Sequence, residues 1–357
     1  MAPAASALPA PVAAAFVKQA EFCRLFAAPL TAATCEAAVF ALDSSSATGR
    51  AVIGWRGDAV PDALMMRFTG GCNALVRAGR APELAALYPP APLSPVAALV
   101  DAIRAVLADP LRDAELCGWL AGPPQTNEVA RSGVLMPGLM VIAAATALPL
   151  RLFELGCSAG LNLNLDRFGY DLGGRTAGDP AAAVQLQPAW GGPPPPAAEV
   201  RVVKRRGTDI KPLDVADAKV RERLLAYVWP DQPERVARAE AAIALAQALP
   251  PPIDQADAAD WLEAQVAPQP GAVAVVYHSI AFQYFPSATK ARIAAHMVAE
   301  GEQATAAAPL AWLRYEMDDA SVAALPTLRL TLWQGGTPTE QLLAHAHPHG
   351  TFVQWQG

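Results

Sequence analysis

Residues 151–164 read Arg-Leu-Phe-Glu-Leu-Gly-Cys-Ser-Ala-Gly-Leu-Asn-Leu-Asn. A short apolar run ends in the carboxylate Glu154, small residues make a turn, and an amphipathic helix is predicted over residues 160–168. Strand, tight turn and helix is how open α/β proteins bring backbone N–H groups up to a small-molecule ligand. Two chemistries fit the same letters. Glu154, Gly156, Ser158, Gly160 and Asn162 suit a loop that cradles a nucleotide-type ligand. Gly156-Cys157-Ser158-Ala159-Gly160 equally matches the G-x-S-x-G elbow that exposes a nucleophilic serine.

A ligand at the carboxyl ends of parallel strands needs polar groups at several strand ends, not at one loop. Three further predicted strands end suitably. One closes on Gly207-Thr208-Asp209-Ile210, where a carboxylate can accept from ribose hydroxyls. Another ends Ala256-Asp257-Ala258, where a short acidic side chain can meet an adenine amine. A third ends Tyr277-His278-Ser279, with Phe282, Gln283 and Tyr284 just beyond to wall a substrate pocket or fill core. His278 is the first candidate for a general base, because imidazole titrates near neutrality, and Glu316, ending the next strand, is the second. A serine hydrolase would take Asp254 or Asp257 followed by His278 or His349. Against it, no His-Gly-Gly segment or run of strands precedes Ser158, and Glu154 is left without a role.

Gln125, Asn127, Glu128 and Arg131 are polar residues opening a helix that then turns fully apolar. They serve either as a cap with an i,i+3 ion pair or as groups over the loop that orient substrate. His345, His347 and His349 alternate as on one strand face, but no Asp, Glu or Cys is near in sequence to complete a shell and Pro348 interrupts them, so no metal site is expected. Arg201, Lys204, Arg205, Arg206 and Lys211 could face an acidic substrate or form a solvated strand edge.

The elements that must position these groups divide near residue 120. Residues 11–26, 62–77, 82–87 and 95–107 carry apolar positions at helical spacing, with one short apolar run at 51–55 read as a strand. An all-helical cap is therefore expected over 1–120. From 151 onward strands and helices alternate. Strands are predicted at 152–155, 200–204, 253–256, 272–278, 310–316, 328–333 and 351–355, and helices at 160–168, 215–228, 233–248, 258–265 and 287–300. Alternation of this kind predicts a doubly wound, mostly parallel sheet over 121–357, with an antiparallel pair at its edge. Residues 170–198 read as an inserted hairpin or loop.

Composition excludes some classes. The chain has 357 residues, 53% hydrophobic and 17% charged, with a formal net charge of −6, which argues against a dedicated nucleic-acid binder. Five scattered cysteines without a C-x-x-C pair read as reduced thiols in a cytoplasmic protein. No positive segment precedes an apolar run at the N-terminus, as a signal peptide would require. Residues 132–150 carry no charge, yet Pro137-Gly138 and Pro149 interrupt them, so a buried helix is expected rather than a membrane span. A small-molecule substrate is the expected partner, and the oligomeric state is left open.

The ordered set Glu154-Leu155-Gly156-x-x-x-Gly160, Gly207-Thr208-Asp209-Ile210, Asp257-Ala258 and Tyr277-His278-Ser279 resembles the class I S-adenosylmethionine-dependent methyltransferases over residues 150–357. That resemblance implies a Rossmann-like fold with S-adenosylmethionine as cofactor. The glycine loop and its helix would hold the methionine part, Asp209 the ribose and Asp257-Ala258 the adenine. Two departures stand out. Ser158 replaces the usual middle glycine, and Asp209 lies far beyond the customary twenty or so residues after the loop, which the 170–198 insertion accounts for. Asp171 is nearer, but no strand is predicted before it and Gly173-Gly174 follows. The whole chain also resembles an uncharacterised bacterial family, domain-of-unknown-function family 2332. The resembling segments are Gln125-Thr126-Asn127-Glu128-Val129-Ala130-Arg131, the 154–164 loop, Thr208-Asp209-Ile210-Lys211-Pro212-Leu213-Asp214, Trp229-Pro230-Asp231 and His349-Gly350. These polar segments are candidates for one common site. The expected function is methyl transfer to a small molecule. A methyltransferase-like binding module without turnover, or a hydrolase using Ser158, are the alternatives.

Overall fold

The structure, a computed structural model, describes residues 6–318 and 325–357. The chain forms two units, Met1–Thr126 with Asp217–Ala237, and Asn127–Ala216 with Arg238–Gly357. The expected division near residue 120 placed all later residues with the sheet, whereas residues 217–237 return to the first unit.

The first unit is helical: α1 (Ala10–Leu25), α2 (Pro29–Ala41), α3 (Ala47–Ile53), α4 (Leu64–Arg77), α5 (Pro82–Ala85), α6 (Val96–Ala108) and α7 (Pro110–Leu120). In chain order α8 (Ser132–Thr146) follows, in the second unit, and α9 (Ala218–Ala226) lies in the returning segment. Phe16, Phe68, Leu64, Leu75, Leu99 and Ile103 are fully buried at the first unit's centre. The strand expected at residues 51–55 is instead the end of α3. Ser46 caps that helix through Gly49 N, and the Asp113 carboxylate accepts from Ala47 N and Thr48 N, so the first-turn amides are satisfied and the apolar run stays helical. The returning segment does the same for α2. Asp231 accepts from Thr31 N (3.1 Å), Thr31 Oγ1 (2.6 Å) and Leu30 N, capping a helix whose own N-cap position, Ala28, has no side-chain oxygen. Trp229-Pro230-Asp231 is thus a structural clasp. Asp231→Ala is expected to lower the unit's stability by about 2 kcal/mol in a thermal melt, the loss of a charged helix cap with three donors.

The strands of the second unit are β1 (Leu150–Leu155), β2 (Gly169–Leu172), β3 (Arg175–Gly178), β4 (Gln185–Leu186), β5 (Ala189–Gly191), β6 (Val202–Asp209), β7 (Ile253–Gln255), β8 (Val273–Ser279), β9 (Leu310–Glu316), β10 (Thr327–Trp333), β11 (Thr339–Ala346) and β12 (Phe352–Trp355). They are joined by α10 (Pro233–Ala248), α11 (Ala258–Gln265) and α12 (Ser287–Gln303). The main sheet runs β5-β12-β11-β10-β9-β8-β1-β6-β7. Its β7-β6-β1-β8-β9 part is parallel, and β9 through β12 form an antiparallel meander. The class is mixed α/β with a mostly parallel sheet. The antiparallel part exceeds the expected pair because β11 pairs on both sides, although its first residues are polar and exposed.

β1 and β8 are buried along their whole length, the mark of parallel strands covered on both faces. α11 and α12 cover one face through Trp261, Leu262, Ile293 and Met297, packed with Phe153, Val276 and Leu310. α8 covers the other. At Gly138 a Cβ would stand 2.7 Å from Leu313 Cδ1, so a glycine there lets the helix close on β9. Residues 129–146 are long and apolar enough to cross a membrane, and 72% of that stretch is buried inside the protein. A covered sheet face accounts for its hydrophobicity.

The expected insertion is a small sheet, β3-β2-β4. Its two-residue turn, Gly173-Gly174, has positive φ at both positions, and Asp171 Oδ1 accepts from Gly174 N at 2.8 Å. Asp171 is a hairpin residue.

Candidate functional site

Strand order reverses at β1. The chain goes from β1 to β6 and β7 on one side, then crosses to β8 and β9 on the other. Loops leaving β1 and β8 at their carboxyl ends therefore diverge, and open α/β sheets bind ligands at such a switch point.

The loop after β1 is built on alternating left-handed residues: Gly156 (φ 69°), Ser158 (φ 55°) and Gly160 (φ 67°). A short 3-10 helix, Leu161–Arg167, follows where an α-helix was expected. Amide groups fix the loop to β6: Gly156 N and Cys157 N donate to Thr208 O at 2.9 and 3.0 Å, and Ser158 N donates to Asp209 Oδ2 at 2.8 Å. Ser158 therefore occupies a conformation that favours glycine, at the position where glycine is usual. Its Oγ is buried and makes no hydrogen bond among the described residues. A Cβ on Gly156 would stand 2.9 Å from Ala281 Cβ and 3.3 Å from Phe285 Cζ, so this loop and the one after β8 pack closely there. Ser158→Gly is accordingly expected to leave stability unchanged or raise it by up to about 1 kcal/mol. Gly156→Ala should cost about 2 kcal/mol or more; chemical denaturation of both variants checks the contrast.

Glu154, the last charged residue of β1, is 2% exposed. Burial pushes its carboxyl up to about 8, opposed by the Tyr277 hydroxyl and reinforced by the charge of Asp209. Tyr277 Oη donates to Glu154 Oε2 at 3.2 Å, with the Asn162 carbonyl 3.4 Å away. Register pairs Glu154 with Tyr277 and with Gly207, two residues before Asp209, so Glu154, Tyr277 and Asp209 share one sheet face. Asp209 is half-buried and accepts from Ser158 N and, through Oδ1, from Lys211 N at 2.8 Å.

The polar opening of α8 is pinned to this loop. Asn127 Oδ1 accepts from Leu161 N (2.9 Å), Glu128 O from Asn162 Nδ2 (3.2 Å), and Asn162 Oδ1 from Ser132 Oγ (2.7 Å). Glu128 also caps a 3-10 turn, Val129–Arg131, through Ala130 N. Arg131 reaches across to donate to Ser279 O (2.9 Å) and Pro348 O (3.1 Å). Gly350, with positive φ, presses so close to residue 130 that a Cβ would stand 2.3 Å from Ala130 O. Segments around 127–131, 160–162, 279 and 348–350 thus converge on one side of the strand ends. Asn127 and Arg131 hold backbone there rather than standing free for substrate.

The expected base is placed differently. His278 is fully buried, and both its ring nitrogens are engaged. Trp312 Nε1 donates to Nε2 at 3.1 Å, which leaves Nδ1 as the protonated nitrogen donating to Glu316 Oε1 at 2.7 Å. Phe282 stacks on the ring with centroids 4.7 Å apart. His278 has no lone pair to offer, so it positions Glu316 instead. Glu316 Oε1 also accepts from Ala281 N (3.1 Å) and Phe282 N (3.2 Å), while the buried Oε2 makes no hydrogen bond among the described residues. His278 and Glu316 project from the face opposite Glu154, since side chains alternate along β8 and β9. Between the two faces stands Ile280 (φ 50°), a β-branched residue in the left-handed region.

Other expectations resolve into structure. Asp257 caps α11 through Ala259 N and Asp260 N, and its Oδ2 accepts from Thr289 Oγ1. Gln283 and Tyr284 lie in an exposed 3-10 turn, Phe282–Tyr284, with Tyr284 77% exposed. The basic run on β6 is paired internally. Arg205 makes a two-pronged bond to Asp166 (2.6 and 2.8 Å), and Arg206 another to Asp254 (2.6 and 2.9 Å) that holds the Asp254 carboxyl below the usual range. β7 pairs only with Gly207, Thr208 and Asp209, so the basic stretch 204–206 has β1 on one side and lies along an open part of the strand, with Lys204 exposed. His345 lies on β11, His347 Nδ1 accepts from His349 N, and among the described residues no three His, Cys, Asp or Glu side chains converge as metal ligands.

Over residues 13–355 the chain matches the model of a family described as an uncharacterized protein conserved in bacteria, DUF2332. The chain belongs to the DUF2332 family. No curated protein and no solved structure matches it. Tyr277 was read only as part of a strand end, and two participants escaped the sequence reading: Ser132 and Trp312. The two-residue period of the predicted strands was a usable signal for the last, since it places Trp312 on the face of Glu316.

Proposed function

We propose that the strand ends of β1, β6 and β8 bind S-adenosylmethionine, and that this DUF2332 member transfers the methyl group to a small acceptor. The observation that carries the reading is Glu154: a buried carboxyl at a topological switch point, sharing a face with Asp209 and flanking a left-handed turn. Among the described residues no cation hydrogen-bonds to Glu154, so an ammonium group, as on the methionine end of the cofactor, would supply the missing partner. Ser158 Oγ, buried without a hydrogen bond, fits a second polar contact. Asp209 keeps lone pairs for ribose hydroxyls beyond its two amide bonds. Asp257 is a helix cap and is assigned no ligand contact.

When bound, the sulfonium supplies an electrophilic methyl group. The chain's own task is alignment, exclusion of water and, where the acceptor must lose a proton, a place to put it. Glu316 Oε2, at the end of β9 and on the face opposite Glu154, is that place for an acceptor lying over the β8 strand end, with His278, itself held by Trp312, bonding the carboxylate's other oxygen. A binding module without turnover is the second reading, favoured by the sealed environment of His278. The hydrolase reading lacks support, because Ser158 Oγ has no imidazole partner.

Calorimetric titration with S-adenosylhomocysteine in two buffers of different ionisation heat tests the assignment. At pH 7, below the Glu154 value of about 8, the free protein holds that proton. Binding an ammonium beside it should release close to one proton. Absence of binding would sink both cofactor readings. Binding without methyl transfer to any of a panel of small molecules would select the module, and labelling of Ser158 by a fluorophosphonate would restore the hydrolase.

A further inference from the structure

We infer that Glu316 is the anchor of a site for a cationic amine. The binding claim stands alone; the amine's role as methyl acceptor rests on the transferase reading. Glu316 is nine-tenths buried, at 9% exposed. Its two oxygens are treated unequally. Oε1 takes three donors, from His278 Nδ1, Ala281 N and Phe282 N, while Oε2 is buried and takes none among the described residues. A buried charged oxygen without a donor is costly, so the pattern calls for a ligand that brings N–H groups.

The donor chain specifies which ligand. Trp312 Nε1–H donates to His278 Nε2, so His278 must present its Nδ1–H to Glu316. Three N–H groups converging on Oε1 suit the carboxylate anion and leave Oε2 as an acceptor only. A neutral hydroxyl could donate one bond to Oε2 but leaves the charge uncompensated. A carboxylate or phosphate ligand would be repelled. A primary or secondary ammonium brings both the donor and the opposite charge.

Cationic side chains on the surrounding elements make other bonds: Lys290 Nζ, 5.8 Å from the Phe282 ring centre, donates to Gln283 O. Arg131 donates to Ser279 O and Pro348 O, and Arg314, on the same strand face as Glu316, lies over the Trp312 ring and donates to Thr331 Oγ1. As an acceptor, the amine would first pass one proton from its nitrogen to Glu316 Oε2. The freed lone pair then forms the N–C bond as the S–C bond of the sulfonium donor breaks, leaving a thioether and a methylated ammonium.

Titrations of the full chain with n-butylammonium, phenethylammonium, and the matching alcohols and carboxylates test this by ligand-observed NMR. The ammonium ions are expected to bind at least tenfold more tightly than the alcohols, with no binding of the carboxylates. With Glu154→Gln in the background, to remove the other carboxyl to which an ammonium is assigned, Glu316→Gln should erase the ammonium preference. Glu340→Gln, exposed on β11, should keep it. Equal affinity of ammonium and alcohol for the wild-type protein would overturn the inference even if Glu316→Gln failed to fold, as would an undiminished preference in that variant. Ammonium preference without S-adenosylhomocysteine binding would uphold the amine site and end its role as acceptor.

Discussion

Asp209→Ala should weaken S-adenosylhomocysteine binding by about ten- to a hundredfold, and Asp171→Ala by less than about twofold. The first figure follows from losing hydrogen bonds to a charged group, ~1.5–3 kcal/mol. Asp209 also holds Ser158 N, so its removal loosens the turn that faces the ligand. Asp171 only closes the Gly173-Gly174 turn of a separate small sheet. Calorimetry on the two variants checks the pair. Equal losses would remove Asp209 from the ligand.

Glu154→Gln is expected to stabilise the free protein, increasingly so as pH rises from about 5 to 8. The folded protein keeps a proton on Glu154 up to about pH 8, whereas the unfolded chain releases it near the ordinary carboxyl value, ~4.3. Below that lower value both states are protonated and the group is neutral to stability. Through the window between them the unfolded state binds fewer protons, so wild-type stability falls as pH rises; above it the penalty is constant. At about 1.4 kcal/mol per pH unit the ceiling is roughly 5 kcal/mol, and a few kcal/mol is the expected outcome. Thermal melts of both proteins at pH 5 and pH 8.5 read it directly. A pH-independent difference would mean that Glu154 is already ionised in the folded state. The same variant should bind S-adenosylhomocysteine more weakly and without proton release.

Local pattern carried most of the architecture into the sequence. Apolar runs carrying an acid at or near their ends marked β1 and β9, and Gly156 and Gly160 announced a turn whose left-handed backbone needs them. What stayed hidden depends on distant partners. Residues 51–55 have strand-like side chains, yet Asp113 satisfies the amides at the start of α3, and nothing local announces that. Asp231 looks like a site residue in the sequence and is a cap for α2. His278 sits at a strand mouth as a base should, but Trp312 takes its second nitrogen from a neighbouring strand. The internal pairing of Arg205 with Asp166 likewise joins residues 39 apart, so the basic run reads as surface until the fold closes. Glu154 is the opposite case. Its carboxylate at the end of an apolar strand was legible, and burial gave it the property that matters.

A crystal structure with S-adenosylhomocysteine bound tests the central claim most directly. The account predicts the ligand at the β1–β8 strand ends, its ammonium against Glu154 and its ribose hydroxyls on Asp209. A ligand bound elsewhere, or bound there with neither carboxylate in contact, would contradict it.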